Sequence, residues 1–193
     1  VAPTLALGGA AATNEGAIYN LNIVGSDVAG AADPLTYSIN WNDGSAVQVL
    51  TAAQLATLSG NVPHTFADDE DGPTNATART ISVTVDDGDG GVTVENKVVT
   101  VNNVAPTAAV SGADTVAEAS VYTLNVALVV DPGADTRTGY SIAWGDGVTN
   151  NFTPAEWALA AGSFAHTYAD GASTPTITVS TTDDDGTFVL GTK

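Results

Sequence analysis

The chain contains nearly the same sequence twice. Val1-Ala2-Pro3-Thr4 returns as Val104-Ala105-Pro106-Thr107, and the run that begins at Tyr37 returns at Tyr140, in both cases 103 residues later. One constant offset over that distance predicts tandem duplication of a whole domain and not a solenoid of short units. We therefore expect two domains, residues 1–103 and 104–193. A residue present in both copies is expected to serve the fold of the module.

The composition excludes two classes of partner. The chain has 4 Lys and Arg against 22 Asp and Glu, for a formal net charge of −18. Nucleic acids and anionic membrane surfaces both attract basic side chains, so neither is an expected partner. No stretch is apolar for long enough to insert into a membrane. The hydrophobic content of 44%, arranged in alternating runs, is typical of a folded β-protein and not of an acidic disordered tail.

Strand patterns alternate with turn signals at the spacing of a β-sandwich. Residues 17–23 have an apolar side chain at every second position, and residues 37–41 form the next predicted strand. Residues 80–85 and 91–101 predict a hairpin across the acidic turn 86–90. These patterns indicate an all-β fold.

Each copy is also expected to contain one short helix. Thr51 with Gln54, and Thr153 with Glu156, have the spacing of a capping box. Gly60 and Gly162 are the predicted residues at which these helices end. On the second helix, Trp157 is expected to face the sandwich, and it becomes a candidate ligand contact if it is exposed.

Three motifs occur in the same order in both copies. They are Tyr-x-x-x-Trp-x-Asp-Gly from Tyr37 and Tyr140, His-Thr-aromatic from His64 and His166, and a Thr-Ile-x-Val strand before the acidic turn. Together they resemble polycystic kidney disease (PKD) repeats. The resemblance implies two tandem immunoglobulin-like β-sandwiches of the PKD type, each here with a short helical insert. It also implies an extracellular or cell-surface location, because PKD repeats occur in extracellular proteins.

The second copy stops earlier than the first. Lys193 aligns with Lys97, after which the first copy continues with residues 98–103. We therefore expect the second domain to lack its last strand. A fragment boundary explains this difference, and so does a strand donated by a neighbouring chain.

The two histidines and the repeated tryptophans are interpreted as parts of the fold. His64 and His166 occupy equivalent positions with no Ser or Cys nucleophile motif nearby, so we expect each imidazole to hydrogen-bond a turn. Trp41 and Trp144 are expected in the cores of the sandwiches. No nucleophile elbow, phosphate loop or cysteine-containing metal motif is present, and the chain is not predicted to be an enzyme.

Acidic residues are predicted to gather at the ends of the domains. In an immunoglobulin-like topology the loop between the second and third strands, and the turn of the final hairpin, lie at the N-terminal end of a domain. The linker, residues 102–106, reaches the same end of the second domain. The predicted metal ligands are Asn102, Asn103, Asp131, Asp135, Asp183 and Asp185, with Asp27, Asp33, Asp87 and Asp89 as the counterparts in the first copy.

Ca²⁺ is the expected cofactor at these positions. It takes six to eight oxygen ligands from carboxylates, amides and carbonyls in flexible loops. The resemblance implies the same placement, because some PKD-like modules hold calcium near their N-terminal linker. At the opposite end of the first domain, Glu15, Asp43 and residues 68–71 are expected to contribute further carboxylates to the junction between the domains. The alternative for all these acids is that they are solvated and keep the protein soluble.

The predicted function is that of a non-catalytic structural or adhesive repeat segment of a larger secreted or surface protein, stiffened by Ca²⁺ at its loops and linker. Its expected partners are neighbouring repeats of the same protein. Two alternatives stay open: an accessory module that binds polysaccharide or matrix, and a filament subunit that assembles with other copies of itself by strand complementation.

Overall fold

The structure, a computed structural model, describes residues 1–69, 72, 75–169 and 173–193. It divides into a first unit, residues 1–69 and 75–103, and a second unit, residues 104–169 and 173–193. Each unit consists of two β-sheets that enclose a hydrophobic core. Strands dominate both units, and the fold class is therefore all-β.

The first unit has sheets with the strand orders β1-β3-β6 and β2-β8-β7-β4-β5. A 3-10 turn, Gly30–Ala32, lies between β3 and β4, and one α-helix follows β5. The elements are β1 (Thr4–Gly8), β2 (Ala12–Asn14), β3 (Ile18–Ser26), β4 (Thr36–Asn40), β5 (Gln48–Thr51), α1 (Ala52–Thr57), β6 (Asn61–Thr65), β7 (Ala76–Asp86) and β8 (Val92–Asn102).

The second unit has sheets with the orders β9-β10-β13 and β12-β11-β14-β15. All its strand pairs are antiparallel. Its elements are β9 (Val110–Gly112), β10 (Val121–Val126), β11 (Gly139–Ala143), β12 (Thr149–Phe152), α2 (Pro154–Ala160), β13 (Ser163–Thr167), β14 (Thr178–Thr182) and β15 (Thr187–Thr192). One sheet contains the first, second and fifth strands of the unit, and the other sheet contains the remaining four. Immunoglobulin-like and fibronectin type III-like sandwiches have this arrangement.

Period-two alternation builds both cores. In β3 the side chains of Tyr19, Leu21 and Ile23 are buried while their neighbours along the strand are more exposed. Trp41 and Trp144 are the largest fully buried side chains of the two units. Alternate residues of a strand point to opposite faces of its sheet, so the pattern read from the sequence becomes the inner face of each sandwich.

The two helices begin at capping boxes. The Thr51 hydroxyl accepts from the backbone N–H of Gln54, and the Gln54 side chain accepts from the Thr51 N–H; Thr153 and Glu156 make the same pair of bonds. The helices end before the predicted glycines, because Ser59 and Ala161 already adopt a positive φ of 51° and 48°.

Gly60 and Gly162 follow in the same left-handed conformation. Their carbonyl oxygens accept from the N–H groups of Ile23 and Val126 at 2.8 and 2.9 Å. A Cβ on Gly162 would approach the Val126 carbonyl oxygen to 2.5 Å, so a glycine is needed where the helix turns back onto strand β10.

The expected loss of the last strand of the second domain is wrong. β15 pairs with β14, and Lys193 exchanges two backbone hydrogen bonds with Ile177. β15 is six residues long and β8 is eleven. Lys97, the counterpart of Lys193, lies in the middle of β8. The second unit therefore has a strand that corresponds to the first half of β8.

Candidate metal site

Two segments of the second unit meet at one end of its larger sheet. β11 pairs with β14 so that Gly139 lies opposite Thr182. The loop before β11, residues 127–138, therefore lies beside the turn after β14, residues 183–186. The backbone N–H of Thr138 donates to the Thr182 carbonyl at 2.8 Å, and that of Thr136 donates to Asp184 Oδ1 at 3.0 Å. Strand register thus places the acids of both segments side by side.

The turn is organised around Asp183, which is only 5% exposed. Its Oδ1 accepts from the backbone N–H groups of Asp185 and Gly186, both at 3.1 Å. Its backbone N–H donates to the Gly186 carbonyl at 2.9 Å. The second carboxylate oxygen, Oδ2, is buried and has no hydrogen-bond partner among the described residues. One oxygen therefore shapes the turn and the other is available to a ligand.

Asp131, in the loop before β11, also has a buried carboxylate oxygen without a hydrogen-bond partner among the described residues. Its side chain is 4% exposed, and its Oδ2 accepts from Arg137 Nη2 at 3.0 Å. Its Oδ1 is buried with no hydrogen-bond partner within the part of the chain that the structure describes. The start of the loop is anchored by two backbone hydrogen bonds between Val130 and Thr107, of 2.8 and 2.9 Å. Asp131 is consequently a buried carboxylate on a fixed backbone.

Five carboxylates converge here, and we call them the acidic cluster. One oxygen each from Asp131, Asp135 and Asp183 lie within 4.8 Å of one another, and so do oxygens from Asp135, Asp184 and Asp185. The cluster contains Asp131, Asp135, Asp183, Asp184 and Asp185. Four of them are the second-copy aspartates predicted from the sequence as ligands. Asp184, whose Oδ1 already accepts from the Thr136 N–H, is the additional member.

The electrostatics of the cluster disfavour charged carboxylates that have no cation beside them. Burial raises the pKa of Asp183, and the negative charges of Asp185 and Asp184 act in the same direction, against the hydrogen bonds from the turn amides. Two carboxylates separated by ~5 Å repel each other by roughly 3 kcal/mol at an effective dielectric constant of 20. A cation placed among them would remove both costs, and an all-carboxylate donor set suits a hard cation.

The corresponding acids of the first copy hydrogen-bond their own turns in the same way, but they do not converge to the same extent. Asp87 Oδ1 accepts from the N–H groups of Asp89 and Gly91, and these bonds lower the pKa of Asp87. Asp27 Oδ1 accepts from the Ala29 N–H at 2.7 Å. Asp33 follows the 3-10 turn and donates its N–H to Gly30. Among the residues that the structure describes, no three carboxylates from this loop and turn lie within 4.8 Å of one another. The described residues thus contain no group of three from Asp27, Asp33, Asp87 and Asp89, and their role as metal ligands stays a prediction.

The asparagines and the other acids of the first copy have their own positions. Asn102, the last residue of β8, donates its side-chain N–H groups to Thr13 O and Asn14 Oδ1. The Asn103 N–H donates to the Asn75 carbonyl. Glu15 is buried, and its carboxylate accepts from the Asp69 N–H at 3.2 Å. Glu70 and Asp71, which were predicted to contribute to the same end, lie outside the described residues.

The repeated histidines hydrogen-bond turns, as expected. His64 Nε2 lies 2.6 Å from Asp43 Oδ2, and His166 Nε2 lies 2.7 Å from Asp146 Oδ2, each carboxylate belonging to an Asp-Gly turn. Each imidazole also stacks on the indole of its own unit, at centroid distances of 4.1 and 4.6 Å. The arrangement joins three motif residues of the module and is a packing unit of the core.

No family model matches the chain, and no curated protein matches it. Among solved structures, the chain is similar to the chicken CNTN1 FN1–FN3 domains, with 13% sequence identity and a TM-score of 0.31. The similarity covers 100% of this chain and 63% of that one, so the chain spans less than two thirds of its length. None of the described helices is long and apolar enough to span a membrane.

Proposed function

We propose that the chain is a non-catalytic, PKD-type repeat segment of a larger secreted or cell-surface protein, and that the acidic cluster of its second unit binds Ca²⁺. One observation carries the metal proposal: Asp131, Asp135 and Asp183 converge within 4.8 Å, and Asp131 and Asp183 each keep one buried oxygen without a hydrogen-bond partner among the described residues. Buried carboxylates at this spacing need a counter-charge. Calcium in an extracellular medium supplies it.

The bound ion would join two segments that are distant in sequence. Its ligands come from the loop before β11 and from the turn after β14, so binding would restrain both at the end of the larger sheet. Extracellular modules bind calcium with Kd values of roughly 10⁻⁴–10⁻³ M. For a Kd of ~0.1 mM, ~1–10 mM calcium stabilises the folded unit by about 1.4–2.7 kcal/mol. The predicted role is therefore mechanical, with the unit stiffer outside a cell than inside it.

Calorimetry on the 193-residue chain tests the metal proposal. We expect isothermal titration with calcium chloride to show saturable binding, and thermal melts to show a higher melting temperature with calcium than with a chelator. Mg²⁺ should shift the melting temperature less, because it requires a smaller, octahedral site. Equal melting temperatures in calcium and in chelator, with no heat of binding at millimolar calcium, would contradict the proposal.

The linker forms a separate part of the proposal. We expect calcium to restrict the motion of residues 102–106, with Asn102 and Asn103 supplying amide oxygens and Pro106 limiting the backbone. Small-angle scattering of the chain in calcium and in chelator measures this. If calorimetry shows calcium binding while the scattering curves coincide, the binding site stands and the stiffening of the linker does not.

The proposal of an accessory polysaccharide- or matrix-binding module loses its candidate residue. Trp157 is half-buried, stacks on Tyr140 at a centroid distance of 4.3 Å, and also contacts Phe152 and Phe164. A sugar platform requires an exposed aromatic face, and this indole uses its face within the unit. No observation on the described residues favours this alternative over the calcium-bound repeat.

A groove favours the other alternative, assembly by strand complementation. It has a volume of about 420 Å³, lies beside the end of β15, and is lined by residues that include Val116, Tyr122, Pro175 and Ile177. In the first unit the second half of β8 pairs with the start of β7, and its Val99 and Val101 are fully buried. A strand from another copy would bind by the same pairing. Concentration-dependent assembly that a peptide of residues 98–103 inhibits would support this candidate, and a monomer at all concentrations would exclude it.

A further inference from the structure

Arg137 brings a permanent positive charge to the edge of the acidic cluster. Its Nη2 donates to Asp131 Oδ2 at 3.0 Å, and its own side chain is 27% exposed. The chain has only 4 Lys and Arg residues. Lys193, the other cation of the second unit, pairs instead with Asp114, whose side chain is 92% exposed. A guanidinium stays protonated at every physiological pH. Arg137 is therefore the built-in counter-charge of this cluster.

The compensation by Arg137 is incomplete. It engages one oxygen of Asp131, while Asp131 Oδ1 and Asp183 Oδ2 remain buried without a hydrogen-bond partner among the described residues. Asp183 lies on the turn after β14, and among the described residues the side-chain hydrogen bond of Arg137 is to Asp131. One positive charge thus balances one of the several carboxylates that meet here. The cluster still favours a cation, but a cation must bind beside an existing positive charge.

We propose that Arg137 sets the calcium affinity of the cluster as an internal competitor for Asp131. The inference rests on the proposed function, because it assumes that the cluster binds calcium. In the metal-free protein the guanidinium holds Asp131 and limits the cost of its burial. When calcium binds, the same charge repels the ion and shares its ligand, so the affinity is lower than five carboxylates alone would give. This tunes the site to the millimolar calcium of an extracellular medium.

Whether calcium binds more tightly or more weakly after Arg137 is replaced separates its proposed role as a competitor from a purely structural role. Arg137→Gln keeps a side-chain donor but removes the charge. We expect its Kd for calcium chloride, measured by isothermal titration at constant ionic strength, to fall by about tenfold, because a positive charge next to the divalent ion is gone. Its melting temperature in chelator should fall below that of the unchanged chain, since the buried Asp131 loses its positively charged partner. Calcium should then raise the melting temperature of the variant by more than that of the unchanged chain.

Two controls sharpen the result. Lys193→Gln removes the other cation of the same unit outside the cluster, and its calcium Kd should change by less than about twofold. In an Asp131→Asn background, Arg137→Gln should increase the affinity by less than in the unchanged chain, because the competition for Asp131 is gone while the repulsion between the guanidinium and the ion remains. Weaker or unchanged calcium binding by Arg137→Gln would overturn the inference and leave the proposed function intact. If neither the unchanged chain nor Arg137→Gln binds calcium at millimolar concentration, both are overturned.

Discussion

Asp183 uses its two carboxylate oxygens in different ways. Oδ1 accepts from two backbone N–H groups and shapes the turn, whereas Oδ2 is buried with no hydrogen-bond partner among the described residues. An amide side chain offers an acceptor for the turn but no charge for a cation. At the residue scale, substitution by Asn therefore separates the role of Asp183 in the fold from its role in metal binding.

We predict that Asp183→Asn stabilises the metal-free protein and removes its response to calcium. Because burial raises the pKa of Asp183, the charged form is disfavoured there, and a neutral isostere removes that cost, so the melting temperature in chelator should rise. Thermal melts with chelator and with calcium measure both effects. Asp89→Asn is the matched control, since Asp89 is an exposed acid in the equivalent turn of the first unit. A calcium response that survives in Asp183→Asn, or that is lost in Asp89→Asn, would contradict this assignment.

The histidine–aspartate pairs predict how stability depends on acid. The hydrogen bond from His166 lowers the pKa of Asp146 below its usual value of 3.8. A lowered carboxyl pKa contributes stability above the unfolded value, and this contribution is lost as the pH falls from about 4 through the folded value. The melting temperature of the unchanged chain should fall over that range. In Asp146→Asn, which keeps an acceptor for His166, the fall should be smaller, and an equally steep fall would count against the pair.

At the scale of an element, the two helices share their capping boxes but differ in their anchors. Leu55 of α1 is buried in the core of the first unit. Trp157 of α2 stacks on Tyr140 and packs against Phe152 and Phe164. The larger side chain gives α2 a set of aromatic contacts that a leucine cannot make, and aromatic pairs add to the free energy from buried area alone.

We predict that Trp157→Ala destabilises the second unit by about 2–4 kcal/mol, because it removes a large side chain from the packed interface. Leu159→Ala is the control on the same helix, since Leu159 is 86% exposed and should cost less than about 0.5 kcal/mol. Urea unfolding followed by tryptophan fluorescence and circular dichroism measures both. Equal costs for the two substitutions would show that the indole does not anchor the helix.

At the scale of the whole molecule, the net charge of −18 acts on stability and on cation binding together. Carboxylates of one sign repel one another over about 10 Å at 0.1 M salt, and this self-repulsion weakens as the ionic strength rises. A general screening effect and a specific calcium site would both raise the melting temperature. Only the second depends on the acidic cluster.

We therefore predict two separable increases in the melting temperature. In chelator, raising sodium chloride from about 10 to about 150 mM should stabilise the unchanged chain and Asp183→Asn to a similar extent, because screening acts on all charges. Millimolar calcium at the higher salt concentration should stabilise the unchanged chain further and leave Asp183→Asn unaffected. If sodium chloride at matched ionic strength reproduces the whole effect of calcium, stabilisation comes from screening and not from a site.

Much of the fold follows from patterns a few residues long. The alternation through Tyr19, Leu21 and Ile23 placed these side chains in the core, and the Thr51 and Thr153 capping boxes placed the starts of two helices. Such signals depend on backbone geometry and on neighbours within one turn or one strand. The short strand β2 was not predicted from such signals, because it pairs in parallel with the end of β8, almost ninety residues away.

The sequence predicts a set of acids that includes those of the candidate site, but it does not predict which of them come together. The same reasoning that chose Asp131, Asp135, Asp183 and Asp185 also chose Asp27 and Asp87, which form no such cluster in the described structure. Arg137 was not among the predicted site residues, and the sequence signal for it is a single arginine in the loop that precedes β11.

The sequence pattern is enough to predict structure that depends on neighbouring residues. It predicts which face of a strand is buried, where a helix starts and where a turn reverses the chain. Convergence of charges depends instead on register, here Gly139 opposite Thr182, and on how each loop folds back. Asp27 and Asp131 each keep one buried oxygen without a hydrogen-bond partner among the described residues. Only Asp131 lies among other carboxylates that form a group within 4.8 Å in the described structure. Carboxylate repulsion changes over a few ångströms, so only the folded chain decides which acids form a site.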